Sequence, residues 1–276
     1  MNKSSVGYIF GFCVAVCLVC AVVVSLSAVG LKEQQDENKR IDRQKKVLVV
    51  AGLLEEGSQA SASEISALFQ KRIKAVMIDL KTGTVDADAT KTVADYDQIK
   101  ASKDPALSKA VDKNRAGVPR VPNHAVVFLV SKDDIVEGAD VTDPEQYILP
   151  VEGKGLWSTL YGYVSLGRDL NEIKGLTFYQ HAETPGLGGE VDNPSWKAKW
   201  PGRKAYSPDG KIAIKVKKGT AGSVADDPHQ VDGLAGATIT SNGVTYLLKF
   251  WLGENGFGPY LKNLKGAGVQ LGQVTR

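Results

Sequence analysis

The sequence predicts an α+β protein with one N-terminal transmembrane helix, followed by a soluble domain with an antiparallel sheet and packed helices. Three observations predict this class. Residues 8–31 are apolar and uncharged, residues 125–179 alternate β-branched and aromatic runs with glycine loops, and residues 242–252 have one apolar helical face. The predicted divisions are an anchor (1–31), a linker helix with the N-terminal part of the soluble domain (32–123), and a main domain (124–276).

The apolar segment from Tyr8 to Leu31 has the length of a membrane-spanning helix. At a rise of about 1.5 Å per residue, it crosses a hydrocarbon core of roughly 30 Å. A cleaved signal peptide is the alternative, with Ser25 and Ser27 as small residues for a cleavage site. Because the apolar core of a signal peptide spans only about 7–15 residues, the length favours an uncleaved anchor.

All three cysteines, Cys13, Cys17 and Cys20, lie in this segment and share one helical face through their i, i+4, i+7 spacing. Packing against a neighbouring transmembrane helix explains this face better than a metal or cluster site. The rest of the sequence contains no cysteine, which excludes disulfides, zinc–thiolate sites and thiol nucleophiles from the soluble part. We therefore expect no metal site.

Charge and motifs exclude further classes of function. A net charge of +3 over 276 residues is too small to indicate nucleic-acid binding. The sequence lacks a GxxxxGK[ST] loop and an HExxH motif, and the glycines at 186–189 lack the strand and helix of a Rossmann unit. The isolated histidines His124, His181 and His229 indicate no catalytic triad. No catalytic side chain is predicted.

Residues 32–123 are predicted to hold two helices, one strand and an irregular segment. A charged helix over 32–54 continues the anchor, and a cap-like Ser-Ala-Ser-Glu sequence opens a short helix over 61–69. Residues 75–80 form a strand that ends in a Thr-Gly turn. Residues 86–122 are polar with weak periodicity, so we expect irregular structure with some helix.

The main sheet is predicted from four segments separated by short glycine-containing loops, which favour an antiparallel meander. Pro194 is predicted to open a short helix, and residues 212–216 alternate like a further strand. The four segments are 125–130, 147–151, 158–166 and 173–179.

The stretch from Asp232 to Ser241, which reads DGLAGATITS, organises the C-terminal part. Small residues before Thr238 allow the backbone to approach a ligand closely, and Ser241 is predicted as the N-cap of a helix over 242–252. Free N–H groups and the positive end of the helix dipole favour a phosphate there. The alternative is an ordinary strand-to-helix turn.

The sequence Asp-Gly-x-x-Gly-Ala-Thr at 232–238 resembles the flavinylation motif of membrane-bound flavoproteins. The block Glu-Thr-Pro-Gly-Leu-Gly-Gly-Glu at 183–190 resembles the flavin-facing loop of the same FMN-binding domain. With the blocks at 153–158, 193–196 and 250–259, the chain is similar to the C-subunit family of Na⁺-translocating NADH:quinone oxidoreductases from the anchor to about Tyr260. The family usually has Ser or Thr where this chain has Ala235.

The resemblance implies FMN bound covalently through a phosphoester to the hydroxyl of Thr238. Thr240 and Ser241 are rival hydroxyls and more plausible as caps. Plain core packing is the alternative role for Trp157 and Leu187. The implied cofactor-binding residues are Thr238, Gly236, Ala237, Thr240 and Ser241 around the phosphate, and Glu183, Thr184, Leu187, Gly188 and Trp157 around the ring.

The resemblance also implies a relay of single electrons from an iron–sulfur centre to a second covalent FMN on the B subunit. Its partners would be subunits A, B, D, E and F, a flavin transferase for maturation, and the membrane. The sequence shows no NADH site. The alternatives are the equivalent G subunit of the Rnf electron-transport complex and a non-redox anchored scaffold or binding module.

Two indications of the orientation in the membrane disagree. Only Lys3 precedes the anchor, whereas six basic residues follow it closely, and a basic excess normally marks the cytoplasmic side. The resemblance implies the opposite, namely a periplasmic FMN domain on a bacterial inner membrane, and we follow the resemblance. The six residues are Lys32, Lys39, Arg40, Arg43, Lys45 and Lys46.

Overall fold

The computed structural model describes residues 6–136 and 138–273 of the chain. The chain divides into two compact units, Met1–Arg43 and Gln44–Arg276. The first unit contains helix α1 (Val6–Gly30), which is uncharged and buries no residue. Within the described part of the chain, α1 alone is long and apolar enough to cross a membrane, in agreement with the predicted anchor.

The second unit begins within helix α2 (Lys32–Val50), and its described residues form six further α-helices and ten strands. The helices are α3 (Ala62–Arg72), α4 (Ala87–Thr90), α5 (Gln98–Lys103), α6 (Pro194–Lys197), α7 (Thr238–Trp251) and α8 (Gly258–Gln273). The strands are β1 (Ile73–Asp79), β2 (Thr84–Val85), β3 (Ser108–Ala110), β4 (Arg120–Pro122), β5 (His124–Val130), β6 (Gln146–Lys154), β7 (Thr159–Gly167), β8 (Ile173–Gln180), β9 (Lys215–Val216) and β10 (Gln230–Val231).

Six strands form one antiparallel sheet in the order β2-β1-β5-β6-β7-β8, which confirms the predicted sheet. β1 pairs with β5 along its whole length, from Ile73 opposite Val130 to Asp79 opposite His124. Residues on both sides of position 123 therefore belong to the same sheet. The capping box at Ser61 and Glu64 opens α3 as the sequence predicts.

Helix α7 covers one face of the sheet, because the apolar positions at i, i+3, i+4 and i+7 are buried in the same core as the strands. Trp251 is fully buried, and its Nε1 donates a hydrogen bond to the carbonyl of Glu152 on β6 at 2.8 Å. The shared core residues are Val244, Leu247, Leu248 and Trp251 of α7, and Leu149, Val151, Leu160, Val164, Leu176 and Phe178 of the sheet.

The end of α2 covers part of the other face. A Cβ placed on Gly175 of β8 would lie 2.9 Å from the carbonyl oxygen of Val50, so the helix backbone comes close to the strand. Gln146 of β6 donates from Nε2 to the carbonyl of Ala51 at 2.9 Å and accepts from Ser165 Oγ at 2.7 Å. These contacts hold the beginning of the second unit against the sheet.

The further strand predicted over 212–216 is confirmed only at its end, and it lies outside the main sheet. Only Lys215 and Val216 are a strand, and they pair in parallel with β10. The N–H groups of Ala213 and Ile214 both reach the carbonyl of Ala205, at 2.9 and 3.2 Å, and Val216 N–H donates to Thr245 Oγ1 of α7 at 2.9 Å. These bonds direct the segment toward α7.

The C-terminal helices also differ from the prediction. Helix α7 begins at Thr238, four residues before the predicted start, and α8 was not predicted. The beginning of α8 lies beside the β1–β2 turn, since Asn263 Nδ2 donates to the carbonyls of Thr82 and Gly83 at 3.0 and 2.8 Å.

Two glycines allow α7 to touch β6 backbone to backbone. A Cβ on Gly243 of α7 would overlap the carbonyl oxygen of Lys154, and a Cβ on Gly153 of β6 would lie 2.5 Å from Leu247 Cβ. A larger residue at either position requires the helix to move. This approach places the N-terminus of α7 beside the turn that follows β6.

We predict that Gly243→Ala destabilises the protein by about 1–3 kcal/mol, because the added methyl group forces α7 away from β6. Gly266→Ala is the matched control, since no atom of another segment lies within 4 Å of the Cβ position of Gly266 in α8. The control is expected to be neutral or stabilising by about 0.5–1 kcal/mol. Thermal unfolding of the full-length protein in detergent measures both, and equal melting temperatures for the two variants would refute the prediction.

Candidate functional site

Thr238 is the first residue of α7 and is exposed. Gly236 adopts a positive φ of 69°, and the N-cap residue Ala237 offers no side-chain acceptor to the helix N-terminus. The first helical bond runs from Ser241 N–H to Ala237 O at 3.0 Å. The N–H groups of residues 238–240 precede this first helical donor and have no acceptor within the helix, which is the position that binds phosphates in proteins.

Ser241 is not the N-cap that the sequence predicts. It lies inside the first turn, is buried, and its Oγ accepts the N–H of Leu234 at 3.0 Å. This hydrogen bond connects the motif turn to the first turn of the helix, and the helix N-terminus has no side-chain cap.

The first two residues of the motif hold the turn in place. Asp232 accepts the N–H of Ala221 on Oδ1 at 2.9 Å and the ammonium of Lys199 on Oδ2 at 2.7 Å. Burial raises the pKa of this carboxyl, but these two bonds outweigh burial, so its pKa is below the ordinary value. Gly233 donates to the carbonyl of Gly219 at 2.9 Å, and a Cβ there would overlap the Lys217 carbonyl.

Arg203 supports the loop that precedes the motif. The residue is 5% exposed, and its guanidinium donates only to backbone carbonyls. The shortest of these bonds, from Nη1 to Asp227 O, measures 2.6 Å. The others go to Lys199, Gly222 and Ser223. This loop in turn carries Ala221, the backbone donor to Asp232.

Glu183 is 5% exposed and accepts hydrogen bonds from two separate segments. Its Oε1 accepts the N–H groups of Trp157 and Ser158, both at 3.0 Å, and the hydroxyl of Ser158 at 3.2 Å. Its Oε2 accepts the N–H of Leu156 at 3.1 Å and the hydroxyl of Thr240 at 2.7 Å. The carboxylate thus connects the turn after β6 with the first turn of α7.

His181 fixes the backbone of Glu183. The Glu183 N–H donates to His181 Nδ1 at 3.2 Å, so in the neutral ring the proton resides on Nε2, which donates to Asp192 Oδ2 at 2.8 Å. Burial raises the pKa of the Asp192 carboxyl, but the hydrogen bond and charge of His181 outweigh burial and lower it. Sequence spacing does not assign this pair to the site, since the two residues are eleven positions apart.

The loop after Glu183 folds back on itself. The carbonyl of Thr184 accepts the N–H groups of Leu187 at 3.1 Å and Gly189 at 2.9 Å. Thr184 and Leu187 are exposed, whereas Gly188 is buried, and a Cβ on Gly188 would lie 2.6 Å from both Glu183 Oε2 and Thr240 Oγ1. A Cβ on Gly236 would lie 2.9 Å from Leu187 Cδ2, so the loop borders the motif turn.

Four large apolar side chains on these segments are exposed. Trp157 is 68% exposed, and the alternative of plain core packing therefore does not describe it or Leu187. The motifs do not identify Leu156 and Ile239, which are exposed beside the predicted residues. The four are Leu156 and Trp157 after β6, Leu187 in the loop, and Ile239 on α7.

The predicted residues therefore lie on three segments that meet at the start of α7. Thr238, Gly236, Thr184, Leu187 and Trp157 are exposed, while Glu183, Gly188, Ala237, Thr240 and Ser241 are buried around them. Glu183 was predicted as a polar partner for a flavin ring, but protein donors occupy both of its oxygens. Among the described residues, no group of three or more metal-ligating side chains is present.

Comparison with known proteins assigns these three segments to an FMN-binding domain. Residues 155–253, which include all of these segments, match the FMN-binding domain family. A Pseudomonas aeruginosa protein, named as the C subunit of a Na(+)-translocating NADH-quinone reductase, is 48% identical over 253 residues, which are 91% of this chain and 92% of that protein. The protein of the same name from Vibrio anguillarum is 44% identical over 97% of this chain and 98% of its own length.

A solved structure agrees with these sequence matches. The crystal structure of Shewanella oneidensis NqrC matches with a TM-score of 0.72 and 35% sequence identity, over 83% of this chain and 99% of that one. The identities, the coverage of nearly the whole length and the common fold confirm the resemblance that the motifs indicated. The chain belongs to the C-subunit family of the Na⁺-translocating NADH-quinone reductases.

Proposed function

We propose that this chain carries FMN covalently on Thr238 and serves as a membrane-anchored electron-transfer subunit of a Na⁺-translocating NADH:quinone oxidoreductase. The observation that carries the proposal is an exposed threonine at a helix N-terminus without a side-chain cap, where three adjoining segments carry exposed apolar side chains. A hydroxyl, phosphate-binding N–H groups and an apolar cover are what a tethered flavin nucleotide needs.

Attachment replaces the O–H bond of Thr238 with a bond from Oγ1 to phosphorus. The hydroxyl proton and the group that previously occupied that position on phosphorus leave together, and no oxidation or reduction occurs in this step. The positive end of the α7 dipole and the N–H groups of residues 238–240 favour the phosphate charge. Gly236 keeps the approach open, because it carries no side chain on the exposed turn.

The exposed side chains of Trp157, Leu187, Leu156 and Ile239 offer apolar surface to the flavin ring, and the exposed hydroxyl of Thr184 offers a polar partner. When bound, FMN supplies one- and two-electron redox chemistry, while the protein sets its position and surroundings. The chain itself has no nucleotide-binding motif for NADH. It would therefore relay electrons from an iron–sulfur centre to the flavin of the B subunit, in a complex that also includes subunits A, D, E and F.

The soluble unit is proposed to face the periplasm, with α1 as its single anchor in the inner membrane. The absence of cysteine from residues 44–276 suits an oxidising compartment. A covalent bond suits the same location, since a dissociated flavin would be lost outside the cytoplasm. A flavin transferase acting on that side would complete maturation.

We predict that Thr238→Ala abolishes covalent flavin, because the variant lacks the acceptor oxygen. Full-length protein, co-expressed with a flavin transferase and exported, is separated on a denaturing gel and examined for flavin fluorescence. The wild-type band and the control Thr220→Ala, at an exposed threonine outside the motif, should fluoresce, and Thr238→Ala should be dark. A dark wild-type band would favour a non-redox scaffold, and a fluorescent Thr238→Ala band would move the acceptor to Thr240 or another hydroxyl.

The orientation is tested by a single introduced cysteine. Lys218 is exposed, and Lys218→Cys adds the first thiol to the soluble unit. A membrane-impermeant maleimide that has crossed the outer membrane should label this variant in spheroplasts without lysis, because the proposed location is periplasmic. Labelling that requires lysis would place the domain in the cytoplasm, as the basic residues after the anchor indicate. The unmodified protein controls for reaction at Cys13, Cys17 and Cys20.

A further inference from the structure

We propose that Glu183 is a positioning residue for the flavin. Its buried carboxylate holds the turn that carries Trp157 against the first turn of α7, which carries Thr238. The inference rests on the proposed attachment of FMN to Thr238 and assigns Glu183 an indirect role.

The hydrogen bonds of Glu183 leave no free acceptor for a ligand. An ionised carboxylate offers about four lone-pair sites. Oε1 accepts three hydrogen bonds and Oε2 accepts two, all between 2.7 and 3.2 Å. A flavin atom would have to displace one of these donors, so Glu183 acts on the cofactor through the segments it binds.

The surroundings of Glu183 are built around an anion. The N–H groups of three successive residues, Leu156 to Ser158, converge on the carboxylate, an arrangement typical of backbone anion sites. Two glycines make room for it, since a Cβ on Gly155 would lie 2.6 Å from Oε1 and a Cβ on Gly188 would lie 2.6 Å from Oε2. A neutral side chain of the same shape cannot satisfy all of these donors.

This arrangement determines how two exposed groups are placed. The side chain of Trp157 is exposed, so core packing does not hold it, and its position depends on the backbone of its turn. Thr240 lies in the same helical turn as Thr238 and donates its hydroxyl to Glu183. Loss of the carboxylate would therefore loosen both the turn that carries Trp157 and the first turn of α7, which carries Thr238.

The charge of Glu183 also acts on the redox chemistry. A buried negative charge disfavours the arrival of an electron nearby. The hydrogen-bond donors offset part of this effect, but a neutral residue removes the charge entirely. Glu183→Gln should therefore shift the midpoint potential of the attached flavin upward.

The same carboxylate predicts how the site responds to acid. Burial raises the pKa of Glu183, but the hydrogen bonds from Thr240 and the backbone outweigh burial, so its pKa lies below the ordinary value. Its stabilisation is complete above the unfolded carboxyl pKa of about 4.3 and is lost as the pH falls through the lower folded value. The other charged or titratable groups at this place are Lys154, whose Nζ lies 3.5 Å from Trp157 O, and His181 with its partner Asp192.

Fluorescence anisotropy of the attached flavin measures that response. We expect a drop in anisotropy in the wild type as the pH falls below about 4. In Glu183→Gln the anisotropy should already be low at neutral pH and change little with acid. An acid transition of the same size in both proteins would assign the effect to another group and overturn this part of the proposal.

The main test compares Glu183→Gln with Glu190→Gln, the same substitution seven residues along the chain. Glu190 accepts a hydrogen bond from Asn193 Nδ2 and does not reach the turn after β6. Hydrogen exchange is measured on full-length proteins in detergent, each in the Thr238→Ala background, so that no flavin is attached. Glu183→Gln should accelerate exchange at residues 155–158 and 238–241 by roughly tenfold or more, because buried donors lose their acceptor, and Glu190→Gln should not.

Thr240→Val provides a milder variant in case Glu183→Gln does not fold. It removes only one of the five hydrogen bonds, so it should accelerate exchange at the start of α7 and affect residues 155–158 less.

The flavin-loaded forms should then show a higher midpoint potential for Glu183→Gln than for wild type or Glu190→Gln. Unchanged exchange at both segments, or an unshifted potential, would overturn the positioning role. Absence of flavin from the wild type would refute the proposed function alone, because the exchange test requires no flavin.

Discussion

The contact between α7 and β6 is the constraint on which the site depends. The helix reaches the strand because Gly153 and Gly243 carry no side chain at the crossing, and Trp251 fixes the depth of packing through the carbonyl of Glu152. This contact places the N-terminus of α7 beside the turn after β6, close enough for Glu183 to bond both. If the helix lay further from the sheet, one carboxylate could not bond both segments.

The polar residues of the motif have two different roles: Asp232 and Ser241 hold the turn, whereas Thr238 is left exposed. Asp232 has the side chain of a typical N-cap but binds Ala221 and Lys199, so it holds the turn instead of capping the helix. Ser241 likewise binds Leu234 from inside the first turn. Both polar groups are thereby withdrawn from the N–H groups of residues 238–240, which have no side-chain cap beside the exposed Thr238. A helix without a side-chain cap is less stable, and a bound phosphate would restore that loss.

Sequence periodicity predicted the four consecutive strands β5 to β8 and the buried face of α7, because alternation and helical spacing reflect burial directly. It misplaced the start of α7, because Ser241 has a strong capping propensity but its Oγ accepts the N–H of Leu234 from inside the first turn. Helix α8 was missed because its glycines at 258, 266, 268 and 272 lower helix propensity. The motif predicted Thr238 as the acceptor, but no sequence pattern indicated the hydrogen-bond partners of Glu183, because they lie 25 to 57 residues away.

The most direct measurement is peptide mass mapping of the full-length protein after maturation with a flavin transferase. Trypsin should release Gly219–Lys249 as one peptide, since no Lys or Arg lies between Lys218 and Lys249. The account predicts that this peptide carries the mass of one FMN less one water, and that fragmentation places the addition on Thr238. FMN on any other residue, or an unmodified peptide from protein matured under these conditions, would contradict the account.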